Sequence, residues 1–420
     1  MTGQAAAPNV TIAAHGDQHG HRLMLTGPDR RDPLVLEIVE QSVLRQHGAR
    51  FGQNVARVLA LWQRSGRLPL TDADRSLQVL AEAGRILLTR SLRNAHEVHG
   101  ELSARMRRWC PAWRDPEATV PVVHVQRGVP QWLPWEMLPL FDLSWNGGAE
   151  DLTQLWRAAR MFPGLSAIVE RGMGQPARTP LGLRTSGGRL PLRFLWHARY
   201  PGARGELGFF RSRDGIHLDG PHPDDRVPYP GAVSFAEQLA DPALSTDGQR
   251  LRHFHQVLHM SCHTTVATGS GQTQGHDPLV FHLASEGGRT VDVSVEKVLA
   301  DLIPAWGRAP RPSGLGMPLV FLNACSTAVR DPLSLGSLLE PFDYNRNPGV
   351  IGTVAKLPDR LAEAFSRRFY ETLLAGHTTG EALHTAKWDL LHTRRNPLGL
   401  LYVLHGDSTL RVQPLPAGTA

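Results

Sequence analysis

The sequence is poor in cysteine, which limits the classes of protein it can encode. Only three cysteines occur among 420 residues, namely Cys110, Cys262 and Cys325. An odd and sparse set does not build a disulfide scaffold and is typical of a reducing compartment. Each cysteine is therefore expected to be either a small buried hydrophobic residue or a reactive thiol.

Long apolar runs and several common enzyme motifs are missing as well. No stretch approaches 18 consecutive apolar residues, and no basic stretch with an apolar core opens the chain, so we expect neither a membrane span nor a signal peptide. We predict a cytoplasmic protein. The sequence has no G-x-S-x-G, P-loop, H-E-x-x-H or C-x-x-C motif, which argues against serine hydrolases, nucleotide-phosphate enzymes, zinc proteases and zinc deaminases.

Lysine is also scarce, because 42 of the 45 basic residues are arginine. The formal net charge of +6 raises the possibility of nucleic-acid binding. However, the arginines are scattered and no run of five or six basic residues occurs. A GC-rich genome, which favours Arg, Ala, Gly and Pro together, explains the composition better. Nucleic-acid binding is therefore an alternative that rests on charge alone.

The apolar content and the length indicate a folded protein with more than one region. Hydrophobic residues make up 41% of the chain, and the length suggests two or three domains. Residues 1–30 are predicted to form a loop or strand segment, in which the nearby histidines fit no zinc pattern. Residues 31–115 are predicted to be helical, since Val55, Val58, Leu59 and Trp62 recur at the helical period.

After residue 116 the pattern changes to short apolar runs separated by segments rich in Gly and Pro. Their length and β-branched content favour buried strands, and helical patterns lie between several of them. Such alternation predicts an α/β fold with a mostly parallel central sheet flanked by helices. The runs are 122–125, 167–169, 192–198, 257–261, 279–284, 319–324, 350–355 and 400–404.

Two of these predicted strands end in reactive residues. The run 257–261 leads into Cys262 and His263, and the run 319–324 leads into Cys325. If the two strands are neighbours, His263 and Cys325 face each other at one sheet edge, where an imidazole could activate a thiol for acyl transfer. Two buried structural residues would produce the same pattern. Cys262 is a rival nucleophile, but adjacent side chains on a strand point to opposite faces.

The motifs around these residues resemble those of a known family. The sequence VLHMSCH at 257–263 resembles the histidine motif of the CHAT peptidases, relatives of caspases and separase, and VFLNACSTA at 320–328 resembles their cysteine motif. LPWEML at 133–138 is similar to the upstream "PWE-L" motif of the family. The block from Gly349 onward, which ends in YVLHGD, is similar to the C-terminal part. The resemblance covers about residues 120–412.

The resemblance implies a fold, an activity and a set of site residues. It implies a caspase-like domain over 116–415 that needs no cofactor and no metal. His263 would be the general base and acid, Cys325 the nucleophile, and the backbone N–H groups of Thr264 and Cys325 the oxyanion hole. The implied function is a cytosolic cysteine-type endopeptidase that cleaves a partner protein within a bacterial defence or cell-death system. We expect the helical segment to pack against this domain or to bind a regulatory protein.

The sequence departs from the family pattern at some positions. Thr264 replaces the glycine that usually follows the histidine, and a β-branched residue resists positive φ. Ser326 follows the cysteine, at a position where members of the family often have an acidic residue. The alternative is therefore a catalytically inactive CHAT-like scaffold that binds proteins. The substrate pocket is unknown. Asp277, Asp331 and Asp343 could line a pocket for a basic side chain, although turn positions explain them better.

Overall fold

A computed structural model of the chain describes most of its residues. The described ranges are 8–17, 20–62, 67–115, 118–127, 129, 133–173, 182–226, 232–244, 254–266, 279–308, 316–323, 333–355 and 357–413.

The described residues form strands and helices that alternate along most of the chain. The strands are β1 Val10–Asp17, β2 Gly20–Thr26, β3 Leu34–Ile38, β4 Val122–Val125, β5 Ile168–Arg171, β6 Gly182–Arg184, β7 Leu190–Trp196, β8 Ile216–His222, β9 Val257–Ser261, β10 His263–Val266, β11 Leu279–Ala284, β12 Thr290–Ser294, β13 Leu319–Leu322, β14 Gly349–Thr353, β15 Tyr402–Gly406 and β16 Arg411–Gln413. The helices are α1 Gln41–Trp62, α2 Leu70–Ser91, α3 Ala95–Trp109, α4 Leu152–Ala159, α5 Pro163–Ser166, α6 Pro201–Ser212, α7 Ala232–Ala240, α8 Val295–Arg308, α9 Leu333–Tyr344, α10 Asp359–Leu374 and α11 Thr379–Arg394.

The chain divides into two compact units. The first takes its described residues from 1–172 and 380–409, and the second from 173–328, 333–379 and 410–420. The domain boundaries predicted at residues 30 and 115 stay predictions.

The first unit contains a mixed sheet of strand order β3-β2-β1-β4-β5-β15. The strands β1, β2 and β3 form an antiparallel meander, whereas β1, β4, β5 and β15 run parallel. The expectation that the pattern from residue 34 is helical is wrong for β3. Leu34, Leu36 and Ile38 are buried and alternate with partly exposed residues, which is the period of a strand with one face in the core.

The helices of the first unit follow the predicted apolar period. Leu77, Leu80 and Leu87 of α2 are all buried, as one stripe of an amphipathic helix should be. The sequence suggests a helix break at Gly100, but the break lies earlier, because α2 ends at Ser91 and α3 runs through Gly100. The N-terminal helical segment is thus present as α1 to α3.

A buried ion pair explains the acidic residue of the LPWEML motif. Glu136 and Arg171 are both almost fully buried and bonded through two guanidinium nitrogens, and Arg171 also donates to the Leu133 carbonyl. Lys387 lies in the same buried group, and burial lowers its pKa to about 8. A buried charge needs such partners to be tolerated. The motif therefore has a structural role in this unit.

The second unit contains a fully parallel sheet of strand order β14-β13-β9-β7-β8. Phe194 of β7 contacts Phe210 of α6, so α6 covers one face. On the other face, Leu195 lines a small cavity with Phe235 and Leu239 of α7. The predicted fold class, a mostly parallel α/β sheet flanked by helices with an N-terminal helical segment, is confirmed.

A second, smaller sheet extends from the end of β9. The strands β10, β11 and β12 pair antiparallel. The run 279–284 is a strand as predicted, but it belongs to this antiparallel sheet. Residues 199–250 are rich in Gly, Pro and charge, so the sequence predicts loops there. This prediction is wrong in part, because α6, β8 and α7 lie within that segment.

Close packing of α6 on α10 depends on glycines, of which Gly202 faces the backbone of α10 and Gly205 faces the side chain of Glu363. A Cβ atom at Gly202 would lie 2.5 Å from the backbone oxygen of Asp359, the first residue of α10. Gly208 lies on the same helix and is exposed, and a Cβ atom there would meet nothing within 4 Å. A methyl group therefore has no room at Gly202 and has room at Gly208.

We expect Gly202→Ala to lower the free energy of unfolding by about 1–3 kcal/mol, because the backbone of α10 must move away. Gly208→Ala should raise it by about 0.5–1 kcal/mol, since alanine has the higher helix propensity. Urea unfolding followed by circular dichroism measures both. Equal effects of the two substitutions would contradict the packing described here.

Candidate functional site

The strands that lead to His263 and Cys325 are neighbours. β9 and β13 are parallel and in register from Val257 opposite Leu319 to Met260 opposite Leu322. One residue further, the Asn323 backbone N–H donates to the Met260 carbonyl over 2.8 Å. Because both strands run in the same direction, their carboxyl ends meet at one edge of the sheet, where sites of open α/β sheets collect.

His263 lies at this edge as the first residue of β10. Its side chain is partly exposed, and its ring centroid is 5.9 Å from that of Tyr200 and 6.3 Å from that of His282. Tyr200 directly precedes α6. The imidazole therefore lies between two aromatic rings. It is also partly accessible to solvent, and a general base needs such access.

His282 is itself held by two partners. Its Nδ1 lies 2.6 Å from a carboxylate oxygen of Asp292, and its Nε2 lies 2.6 Å from the Thr265 hydroxyl. A carboxylate on one ring nitrogen fixes the orientation of an imidazole. The ring that faces His263 across the β10–β11 pair is thus fixed in place.

Thr264 occupies an extended backbone position. It is buried in β10 and lies opposite Phe281 of β11. It is not among the residues with positive φ. A β-branched residue suits a strand, so its replacement of the expected glycine introduces no backbone strain. Cys325 and Ser326, together with Asp277 and Asp331, lie outside the described residues.

Two other cysteines are poor nucleophiles by their surroundings. Cys110 is fully buried, and burial raises the pKa of its thiol to about 12. Cys262 is 2% exposed. A thiol reacts as its thiolate and needs access to its substrate. Neither residue meets both conditions.

A buried carboxylate lies beneath the sheet edge. Glu206 of α6 is 1% exposed. It accepts hydrogen bonds from the Asn323 side-chain amide and the Ser366 hydroxyl, each over 2.5 Å, and from the Ser261 hydroxyl. Its second oxygen is 3.3 Å from His259 Nε2. The four partners come from β9, α10 and the residue after β13.

The environment of Glu206 keeps it ionised. Burial alone would raise the pKa of the carboxyl group, but the charge of His259 and the hydrogen bonds from His259, Ser261 and Ser366 outweigh burial and lower the pKa. Burial and the Glu206 charge both raise the pKa of Tyr370 well above its usual range. At neutral pH, the site therefore holds a carboxylate beside a protonated phenol.

His259 connects this carboxylate to α10. Its side chain is fully buried in β9, with Nδ1 2.9 Å from the Tyr370 hydroxyl. Its ring stacks on Phe321 of β13, with centroids 5.0 Å apart and planes 14° apart. Both ring nitrogens thus face polar groups, as a buried imidazole requires.

Sequence reasoning missed this network. His259 lies inside the histidine motif and Asn323 inside the cysteine motif. The resemblance, however, implies roles only for His263, Thr264 and Cys325. Glu206 lies in a segment expected to be loop. The one available signal was Glu206 itself, an acid one turn after Gly202 and one turn before Phe210 on an apolar helix face.

A second, largely buried cluster lies where β8, β7 and the start of β9 meet. Asp219 of β8 contacts Arg193 at 2.9 Å, His255 at 2.9 Å and His222 at 3.1 Å. Burial opposes ionisation, but these partners hold the pKa of Asp219 far below its usual value. His255 precedes β9, so this cluster is remote from His263 along the strand. It ties β8 to β7 and the start of β9.

Comparison with known families agrees with the motifs. Residues 235–409 match the family model of the CHAT domain. This part of the chain is similar to the CHAT family. This match includes β9, β13, His263 and Cys325, whereas the upstream LPWEML motif lies outside it.

Similarity to solved structures is distant. Saccharomyces cerevisiae separase, in two structures of its complex with securin, aligns with TM-scores of 0.40 and 0.37 at 10% and 9% identity. The alignments cover 96% and 97% of this chain but only 30% of the separase chain. No curated protein matches the sequence.

No described helix is long and apolar enough to cross a membrane. No group of three or more His, Cys, Asp or Glu residues within the described ranges could hold a metal ion.

The Glu206 carboxylate should make the stability of the second unit depend on pH in the acid range. Because its folded pKa is below the unfolded value of about 4.5, its contribution is full above that pH and is lost as the pH falls through the folded pKa. We expect Glu206→Gln to cost about 3 kcal/mol at pH 7, with the difference from wild type shrinking below pH 4.5. Urea unfolding from pH 7 to pH 3.5 measures this.

The matched control is Glu371→Gln. Glu371 lies on α10 and forms a partly exposed ion pair with Arg213, so the substitution should change stability little at any pH. A Glu206→Gln difference that stays constant from pH 7 to pH 3.5 would contradict an ionised buried carboxylate.

Proposed function

We propose that the chain is a cysteine endopeptidase in which His263 and Cys325 form the catalytic dyad. The observation that carries the proposal is the parallel, in-register pairing of β9 and β13. These strands lead into the histidine and the cysteine motif at the same sheet edge. The CHAT family match over both motifs supports the same assignment.

The proposed reaction is acyl transfer through a thioester. His263 takes the proton of the Cys325 thiol, and the thiolate forms a bond to the carbonyl carbon of the scissile peptide. The C–N bond then breaks as His263 gives its proton to the leaving amine. Water, deprotonated by His263, attacks the thioester, which releases the acid and restores the thiol. No cofactor or metal takes part in these steps.

The oxyanion of the tetrahedral intermediate needs hydrogen-bond donors. The proposed donors are the backbone N–H groups of Thr264 and Cys325. Such donors lower the barrier because they are fixed where the charge develops. The rigid support of Thr264 by the β10–β11 pair favours this role.

The proposed substrate is a partner protein in the cytoplasm. A protease of this kind must be held inactive until a trigger arrives, and a regulatory protein that binds the helical segment could provide this control. Within the same proposal, the enzyme belongs to a bacterial defence or cell-death system. Neither a nucleic acid nor a membrane is part of it.

A protein-binding scaffold without activity is the second candidate. The observation in its favour is the extended backbone of Thr264. A glycine at position 264 would permit a left-handed backbone conformation, in which the N–H group points in a different direction from that of the extended Thr264. The two candidates differ in whether Cys325 reacts.

Labelling of Cys325 by a thiol-reactive probe tests the dyad. Because a paired imidazole raises the thiolate fraction, labelling of wild type at pH 7 should be at least about tenfold faster than labelling of His263→Ala. Peptide mapping distinguishes Cys325 from Cys110 and Cys262. The matched control is His217→Ala, which removes an exposed histidine from β8 and should label as wild type does. Equal labelling of wild type and His263→Ala would end the dyad proposal.

Cleavage of a peptide library separates the enzyme from the scaffold. Wild type should cut and Cys325→Ala should lose activity by a factor of about 1,000 or more. The scaffold is favoured instead if wild type cuts nothing and both proteins bind the same partner with equal affinity.

A further inference from the structure

The buried carboxylate of Glu206 is in contact with both strands that lead to the proposed dyad. It accepts from Ser261, the last residue of β9, and from Asn323, the residue after β13. Ser261 precedes His263 by two residues, and Asn323 precedes Cys325 by two residues. One side chain therefore holds the ends of two separate strands.

The contacts of the Glu206 carboxylate fix the positions of the two strand ends. All the partners of the carboxylate are buried: Ser261, Asn323, His259 and Ser366. A charged acceptor forms stronger hydrogen bonds than a neutral one, and a buried donor that loses its acceptor has no water to replace it. The strand ends are thus fixed by interactions that are costly to break.

The helix α6, which carries Glu206, is also held in place. Glu206 is carried by α6, which packs against α10 through Gly202. On α10, Ser366 donates to Glu206, and Tyr370 contacts His259. Movement of either helix would disturb the carboxylate and both strand ends together.

We propose that Glu206 is a positioning residue that sets the distance between the His263 and Cys325 segments. It touches neither the substrate nor the reacting atoms in this proposal. Its effect passes through Ser261 and Asn323 to the two segments. The inference rests on the proposed function for the dyad.

Glu206→Gln tests the role with little change of volume. A glutamine presents an N–H₂ group to partners that are themselves donors, so one of the hydrogen bonds must be lost. We expect amide hydrogen exchange at the carboxyl ends of β9 and β13 to rise about tenfold. The rest of the second unit should stay within about twofold. The full-length protein is used throughout.

The pH profile of Cys325 labelling tests the consequence for the dyad. In Glu206→Gln, the rise in labelling rate should move to higher pH, toward the profile of His263→Ala. Glu206→Asp keeps the charge and should recover part of the wild-type profile. A purely structural role would lower stability without moving this profile.

The controls separate positioning from general destabilisation. Glu371→Gln on α10 should leave both the exchange and the labelling profile unchanged. If Glu206→Gln fails to fold, Asn323→Ala tests the same link from the β13 side and should shift the profile alike.

The outcomes distinguish this inference from the proposed function. Unchanged exchange at the strand ends in Glu206→Gln would overturn it, and so would raised exchange with an unmoved labelling profile. If wild-type labelling does not depend on His263, the proposed function fails and the positioning role falls with it. Raised exchange with a shifted profile supports both.

Discussion

The parallel pairing of β9 with β13 is the constraint on which the candidate site depends. The sequence separates Met260 from Leu322 by a long excursion through β10, β11, β12 and α8, yet backbone hydrogen bonds place them side by side. Parallel strands need such a crossover, and their carboxyl ends then open on the same edge. Chemistry that requires two residues from distant motifs is possible only because this register is fixed.

The second constraint is that a buried carboxylate needs hydrogen-bond donors or cations around it. Both units satisfy this constraint in the same way. Glu206, Asp219 and Glu136 are each surrounded by hydrogen-bond donors or cations. An isolated buried carboxylate would take up a proton rather than remain ionised. The donors come from elements far apart in sequence, so each cluster fixes the relative positions of several strands and helices within its unit.

Much of the fold could be predicted from sequence because apolar periodicity is local. Each of the eight predicted runs contains a strand, and α2 and α10 follow their helical stripes. For residues 1–30 the sequence leaves loop and strand open, so the pairing of β1 with β2 is not specified, and β3 is wrongly expected to be helical. Glu206 could not be found because its partners, Ser261, Asn323 and Ser366, meet only in three dimensions. The roles proposed for His263 and Cys325 rest on their places after two predicted strands and on motif resemblance, which periodicity alone could not supply.

The close approach of α6 to α10 at Gly202 has a consequence for how this sequence can change in evolution. Gly202 and Glu206 lie one helical turn apart, so the backbone contact at one position sets how deeply the carboxylate at the other reaches. A larger residue at 202 would lift the carboxylate away from Ser261 and Asn323. Selection on the strand ends would therefore act on a glycine that touches neither of them. In related sequences the two positions should be retained together or lost together.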